Sequence, residues 1–141
     1  MNRCNPFLFA GILLLSIACK KDAPPPPEPL LEGRWDFRST ITYHYDGSGQ
    51  MPSKNEQFPG QYGAFYLVLT KDSLKYVRTA DNTPLRAYKI IRNGAEIQIP
   101  RINQKPVITV LTARDLTLRF HKLWVITSTG AYDDVEDNYV R

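Results

Sequence analysis

The sequence predicts an all-β domain: an eight-stranded antiparallel up-and-down meander closed into a barrel. From Glu32 onward, apolar and polar residues alternate with a period of two, which is typical of strands with one buried face. Aromatic residues make up 11% of the 141 residues, a composition that also favours β structure. The Asn93-Gly94 dipeptide lies between two apolar runs and is a strong hairpin signal.

The strands are expected in succession along one meander. The first covers 32–45, and alternation gives it one apolar face: Trp35, Phe37, Ile41, Tyr43 and Tyr45. Its opposite face is polar and carries Thr40, Thr42 and His44. The other strands are expected at 62–70, 73–79, 84–92, 95–100, 106–113, 116–127 and in a short segment ending at Arg141. Closure of such a meander removes its exposed edges.

The predicted connections alternate in length. Those at 71–72, 93–94 and 114–115 have two residues, whereas longer ones are expected at 46–61, 80–83, 101–105 and 128–136. Alternate connections of a meander lie at opposite ends of the barrel. One end is therefore expected to be trimmed and to hold both termini, and the other to carry every long loop.

The N-terminus has the pattern of an export signal. An apolar run of twelve residues, 7–18, follows the basic Arg3. A helix that spans a bilayer needs about 20 such residues, so this run is typical of a signal peptide rather than of a membrane span. A buried core helix is the alternative, but no amphipathic sequence surrounds the run.

The residues that follow, Ser16 to Cys19, resemble the bacterial lipobox, and Cys-Lys-Lys-Asp is similar to the start of lipoproteins of the Bacteroidota. The resemblance implies that Cys19 is acylated and becomes the first residue after cleavage. Cys4 would leave with the signal peptide, so the mature chain would hold neither a free thiol nor a disulfide. An incidental buried thiol is the alternative for Cys19.

A proline-rich segment separates this signal from the domain. Residues 22–29 read Asp-Ala-Pro-Pro-Pro-Pro-Glu-Pro, which favours an extended polyproline spacer with a reach of roughly 30 Å. A ligand for an SH3-type domain is the alternative. The expected organisation is a signal peptide at 1–18, a lipidated Cys and tether at 19–29, and a barrel at 30–141.

The barrel segment resembles the lipocalins. Gly33-Arg34-Trp35 is similar to their Gly-x-Trp motif, and the resemblance implies that Arg141 packs on Trp35 and closes the base of the barrel. The segment as a whole looks like the lipocalin-like lipoproteins of Bacteroidota, which share three short motifs with it: Leu31/Gly33/Trp35, Leu116/Leu118 and Tyr139/Arg141. This places the protein at the cell envelope as an outer-membrane lipoprotein, on its periplasmic or surface face. A core Trp on an unrelated β strand is the alternative.

The sequence holds no pattern that marks an enzyme or a metal site. Neither His44 nor His121 has a ligand at metal-binding spacing, and a solvated His is favoured for both. Four acids within 133–137 suggest either a weak Ca²⁺ site or a solvated acidic loop. No catalytic residue, metal or cofactor is expected. The net charge of +4 comes from scattered basic residues, which excludes a nucleic-acid stripe.

Two functions are favoured by the sequence. A hydrolase is a third and less favoured hypothesis, because no set of catalytic residues is recognisable. The first is binding of a small apolar or aromatic ligand, with candidate residues near the long loops: Tyr45, Phe58, Tyr62 and Tyr132. These side chains would otherwise only cap the core. The second is a solid barrel whose long loops contact another envelope or extracellular protein. Cavity volume separates the two.

Overall fold

The computed structural model describes residues 29–59 and 64–141. The predicted signal peptide, Cys19, most of the predicted tether and Tyr62 lie outside these residues. Ten strands are described: β1 (Gly33–Tyr45), β2 (Ser53–Gln57), β3 (Phe65–Leu69), β4 (Ser73–Arg78), β5 (Pro84–Lys89), β6 (Ile91–Asn93), β7 (Glu96–Gln98), β8 (Val107–Leu111), β9 (Asp115–Ile126) and β10 (Ala131–Val140). A short 3₁₀ helix, Pro100–Ile102, follows β7. In this part of the chain no helix is long and apolar enough to cross a bilayer.

The strands form one antiparallel sheet that curls into a nearly closed barrel, which confirms the predicted fold class. The order is β5-β4-β3-β1-β10-β9-β8-β7-β6, with β2 paired to β1. The two outer strands, β5 and β6, are separated in the chain by Ile90 alone. The predicted strand 84–92 is therefore split, and it joins the two edges because β5 pairs with β4 and β6 with β7.

The predicted loop 46–61 is wrong over its second half, where β2 forms. β2 pairs with the upper part of β1 and β3 with the lower part. The chain can return this soon because the carboxylate of Asp46 accepts backbone N–H bonds from Ser48 and Gln50 at 2.9 and 3.0 Å, which closes a tight turn. The polar run Ser53–Gln57 has little strand signal of its own, and pairing with β1 decides its structure.

The predicted loop 128–136 is also wrong. The hairpin between β9 and β10 occupies only 127–130, and β10 is ten residues long rather than a short terminal strand. The acids of 133–137 lie within this strand. Their partners on β1 and β9, described below, make a strand of acidic residues stable.

The ends of the barrel differ as expected. Connections at 70–72, 94–95 and 112–114 lie at one end, which we call the base, together with Leu31 and Arg141. Those at 46–52, 79–83, 99–106 and 127–130 lie at the other end, the mouth. Two of the turns at the mouth are shorter than the sequence suggested, because parts of the predicted loops 46–61 and 128–136 are strand.

The base is closed by a packed layer around Trp35, which is fully buried. The indole N–H donates to the carbonyl of Leu31 at 2.7 Å, and the guanidinium carbon of Arg141 lies 3.9 Å from the centre of the Trp ring. Arg141 also donates to the carbonyl of Glu32. Gly33 has a φ of +125°, and a Cβ there would lie 2.9 Å from the Arg141 guanidinium. Only glycine leaves room for this contact without a shift.

A β-bulge on β1 decides which side chains face the interior. The register with β10 slips between Phe37 and Ser39, so Arg38 has no partner residue opposite it. One extra residue reverses the alternation beyond it. The predicted core face of β1 is therefore right at Trp35 and Phe37 and wrong beyond the bulge. There the interior side chains are Thr40, Thr42 and His44, and the outward ones are Ile41, Tyr43 and Tyr45.

Candidate functional site: the barrel cavity

A cavity of about 720 Å³ occupies the barrel above the Trp35 layer. Six apolar or aromatic side chains form much of its wall: Phe37, Phe65, Tyr76, Tyr88, Phe120 and Val135. Eight polar ones also line it: Thr40, Thr42, His44, Asn55, Gln57, Arg86, Asp133 and Asp137. Small-molecule sites combine an apolar wall with a few convergent polar groups in this way, in volumes of about 300–1,000 Å³.

One side of the wall is a continuous row of aromatic rings. Phe37 stacks on Phe65 with ring centres 4.4 Å apart. Phe65 meets Tyr76 edge-on at 5.8 Å, and Tyr76 meets Tyr88 edge-on at 6.5 Å. Each ring comes from a neighbouring strand (β1, β3, β4 and β5), so sheet pairing fixes the row. Such a row offers a rigid apolar surface to a flat or aliphatic ligand.

The acid Asp137 lies deep in the cavity. Its carboxylate accepts hydrogen bonds from the hydroxyl of Thr40 and, at 3.3 Å, from the phenol of Tyr139. Burial raises the pKa of Asp137, and the two hydroxyl donors offset this only in part. Burial also raises the pKa of Tyr76 and Tyr139, and the nearby Asp137 charge adds to both shifts. Within residues 29–59 and 64–141, no Lys, Arg or His forms an ion pair with Asp137.

A second polar group lies nearer the mouth. Nδ1 of His44 is 2.8 Å from a carboxylate oxygen of Asp133, and both side chains are partly exposed. His121, on the outer face, is likewise 2.8 Å from Asp134. The solvated imidazoles expected from the sequence thus each have an acidic neighbour on β10, which spacing along the chain did not reveal. No group of three or more His, Cys, Asp or Glu suited to a metal occurs in the described ranges.

Asp134 is buried and bonded like a residue that stabilises the fold, and not like a residue of an open acidic loop. Its side chain is 5% exposed and accepts from the backbone N–H of Lys122 and from Arg119, both at 3.0 Å. Burial raises its pKa, but the bonds from Lys122 and Arg119 and the charges of His121 and Arg119 outweigh it, so the pKa lies below its usual value. Three residues of β9, 121–123, bulge opposite this one acid, and Asp134 contacts two of them, through the backbone N–H of Lys122 and the imidazole of His121. The hypothesis of a calcium-binding or solvated loop is wrong for Asp134.

The ligand-binding candidates drawn from the sequence do not line this cavity where the structure describes them. Tyr45 and Tyr132 stack on each other with ring centres 4.8 Å apart, on the outer face of β1 and β10. Phe58 is 57% exposed just after β2, and Tyr62 lies outside the described residues. Tyr45 faces outward because of the β1 bulge. Tyr132 faces outward because it alternates along β10 with the inward residues Asp133, Val135 and Asp137.

The wall has a lateral gap between β5 and the 3₁₀ helix. The 3₁₀ helix that begins at Pro100 stops the chain from continuing as a strand beyond β7. β5 therefore has no strand partner on the side that faces this helix. Leu85 and Ile102 face each other across the gap, line the cavity and stay 46% and 41% exposed. Arg86 also lines the cavity here. This gap is a route by which an apolar molecule could enter from the side.

We expect Asp137→Asn to stabilise the domain at pH 8. A carboxyl whose pKa is raised by folding binds more protons in the folded state, so stability falls as pH rises from the usual value toward the folded one. The amide keeps the shape and can bond to both hydroxyls without carrying charge. The variant should be more stable than the unmodified protein at pH 8, and this difference should vanish near pH 3, where the carboxyl group is protonated in both the folded and the unfolded state. Urea unfolding at the two pH values measures it, and an equal or lower stability of the variant at pH 8 would contradict the raised pKa.

Comparison of the chain with protein-family models, with curated proteins and with solved structures finds no match to any of them.

Proposed function

We propose that this protein binds a small, mainly apolar or aromatic ligand inside its barrel. The cavity carries the proposal, since it combines about 720 Å³ of volume with a row of aromatic rings and a few inward polar groups. A small barrel of about eight strands is either filled by side chains or able to hold one small ligand. The space above Trp35 favours the second case over a solid interaction module. The proposal includes no catalytic step and no cofactor.

We further propose that the domain is the soluble part of a lipocalin-like outer-membrane lipoprotein. The support is the signal-like N-terminus with Cys19, the Gly33/Trp35/Arg141 arrangement at the base and the up-and-down barrel. Because Leu31 lies at the base, a lipid joined through the tether would put the base nearest the membrane. The mouth would then face away from the bilayer, toward ligands in the aqueous space.

Filling the cavity should abolish binding, and a matched outward substitution should not. Thr42 faces the cavity, whereas its neighbour Ile41 faces outward. In a titration with an uncharged, environment-sensitive naphthalene dye, we expect Thr42→Trp to weaken binding at least about tenfold, since the indole takes the ligand's place. Ile41→Trp should bind as the unmodified protein does. Equal dye affinity in all three proteins would place the binding site outside the barrel.

The anchoring proposal has its own test. Cys19→Ser removes the thiol that would take the lipid, so the variant should appear in the soluble fraction or as an unprocessed precursor. Metabolic labelling with a radioactive fatty acid should mark the unmodified protein and not the variant. An unmodified protein that takes no label would contradict the lipoprotein proposal and leave the cavity proposal standing.

A further inference from the structure

We propose that the cavity's ligand carries a protonated amine on its apolar body and that this ammonium group pairs with Asp137. The inference rests on the proposed function and adds the chemical class of the ligand. Two features of Asp137 lead to it: the carboxyl group faces an apolar cavity, and its protein partners are hydroxyl groups without charge.

The carboxylate of Asp137 has unused bonding capacity. Two carboxylate oxygens can accept about four hydrogen bonds. Among the residues that the structure describes, Thr40 donates to one oxygen and Tyr139 to the other, and these two bonds leave acceptor sites on the carboxylate. These two donors also hold the group in place, so a ligand need not pay to orient it.

The contrast with Asp134 separates a ligand-facing acid from a structural one. Asp134 points to the outer face of β10 and is shielded from the cavity. Its carboxylate accepts hydrogen bonds from the backbone N–H of Lys122 and from the side chain of Arg119. Asp137 has neither kind of partner in the part of the chain that the structure describes. An acid that only stabilises the fold is expected to be paired like Asp134, because an uncompensated buried charge is costly.

The other charged groups on the wall do not compensate Asp137. His44 is paired with Asp133 nearer the mouth. Arg86 lies at the lateral gap on β5, opposite Tyr76 in the register with β4, and forms no ion pair with Asp137. A cation in the ligand is the complement that the deep end of the cavity lacks, and the row from Phe37 to Tyr88 would contact the apolar remainder.

Three fluorescent probes that share a dansyl group and a pentyl chain, and differ only in their end group, test this inference. The end groups are an ammonium, a hydroxyl and a carboxylate. We expect the ammonium probe to bind at least about tenfold more tightly than the hydroxyl probe, as a charge-assisted bond requires, and the carboxylate probe to bind most weakly. Asp137→Asn should remove the preference for ammonium, so that the ammonium and hydroxyl probes bind with affinities within about twofold of each other. Asp133→Asn, a matched loss of one cavity carboxylate, should keep the preference.

The remaining outcomes separate the two proposals. Equal binding of all three probes, or a preference that survives in Asp137→Asn, would overturn the amine site and leave the binding cavity intact. Tightest binding of the carboxylate probe would overturn it in favour of an anion held by Arg86. If circular dichroism shows folded protein and no probe binds, both proposals fail.

Discussion

Truncation of Trp35 to alanine should destabilise the domain by about 3–5 kcal/mol, the range for removing a large buried aromatic side chain. Trp35 is fully buried, bonds to the Leu31 carbonyl and lies under the Arg141 guanidinium. Its loss therefore leaves a void at the base and removes a cation–π contact. Urea denaturation followed by circular dichroism measures the change.

The chain contains a matched control for this experiment. Trp124, the only other Trp, is 57% exposed near the mouth, so Trp124→Ala should cost less than about 1 kcal/mol. Arg141→Ala should fall between the two, at about 1 kcal/mol, because the guanidinium stays exposed to solvent while it lies over the Trp35 ring. Similar unfolding midpoints for Trp35→Ala and Trp124→Ala would contradict a base closed by Trp35. An unmoved midpoint in Arg141→Ala would show that Arg141 does not contribute to closure.

Replacement of Asp134 by asparagine is the second large effect that we expect. Breaking a buried ion pair costs about 3–5 kcal/mol, and Arg119 keeps about a third of its side chain exposed, so a loss of about 3 kcal/mol is expected at pH 7. Folding lowers the pKa of Asp134, so its contribution is present above the usual carboxyl pKa and is lost as pH falls through the folded value. The difference between the two proteins should shrink accordingly in acid.

The neighbouring acid provides the control. Asp133 pairs with the half-exposed His44, and a solvated pair of this kind contributes about 0–1 kcal/mol. The free energies of unfolding of Asp134→Asn and Asp133→Asn should therefore differ at pH 7 and agree at pH 3, as measured by denaturation at the two pH values. A loss that is equal for both variants, or independent of pH, would contradict the role of Asp134 in holding the β9 bulge.

The fold class was predictable because its signals are local. Two-residue periodicity, the Asn93-Gly94 hairpin and the alternation of connection lengths all follow from residues next to one another in the chain. The contact between Trp35 and Arg141 was expected from a family resemblance, and the two side chains do meet. Strand β2 could not be found in this way, because its polar residues become a strand only through pairing with β1.

The cavity could not be predicted because a bulge controls it. No residue near Arg38 marks an extra residue in β1, yet the slip there places Thr42 inside and Tyr43 outside. Simple alternation therefore assigned Tyr45 to the apolar face and His44 to the solvent face, and Tyr132 was chosen as a ligand contact because it was expected near a long loop. The acids of β10 were interpreted as a loop for a related reason, since their partners on β1 and β9 are distant in sequence.

The reversed alternation above the bulge gives the most direct test of ligand binding inside the barrel. In a methyl-labelled sample saturated with the uncharged naphthalene dye, nuclear Overhauser effects should join dye protons to the methyl groups of Thr42 and Val135, which line the cavity. The methyl groups of Ile41 and Val125, which lie outside the lining, should show none. Contacts to Ile41 and Val125 without contacts to Thr42 and Val135 would place the ligand on the outer surface and contradict the account.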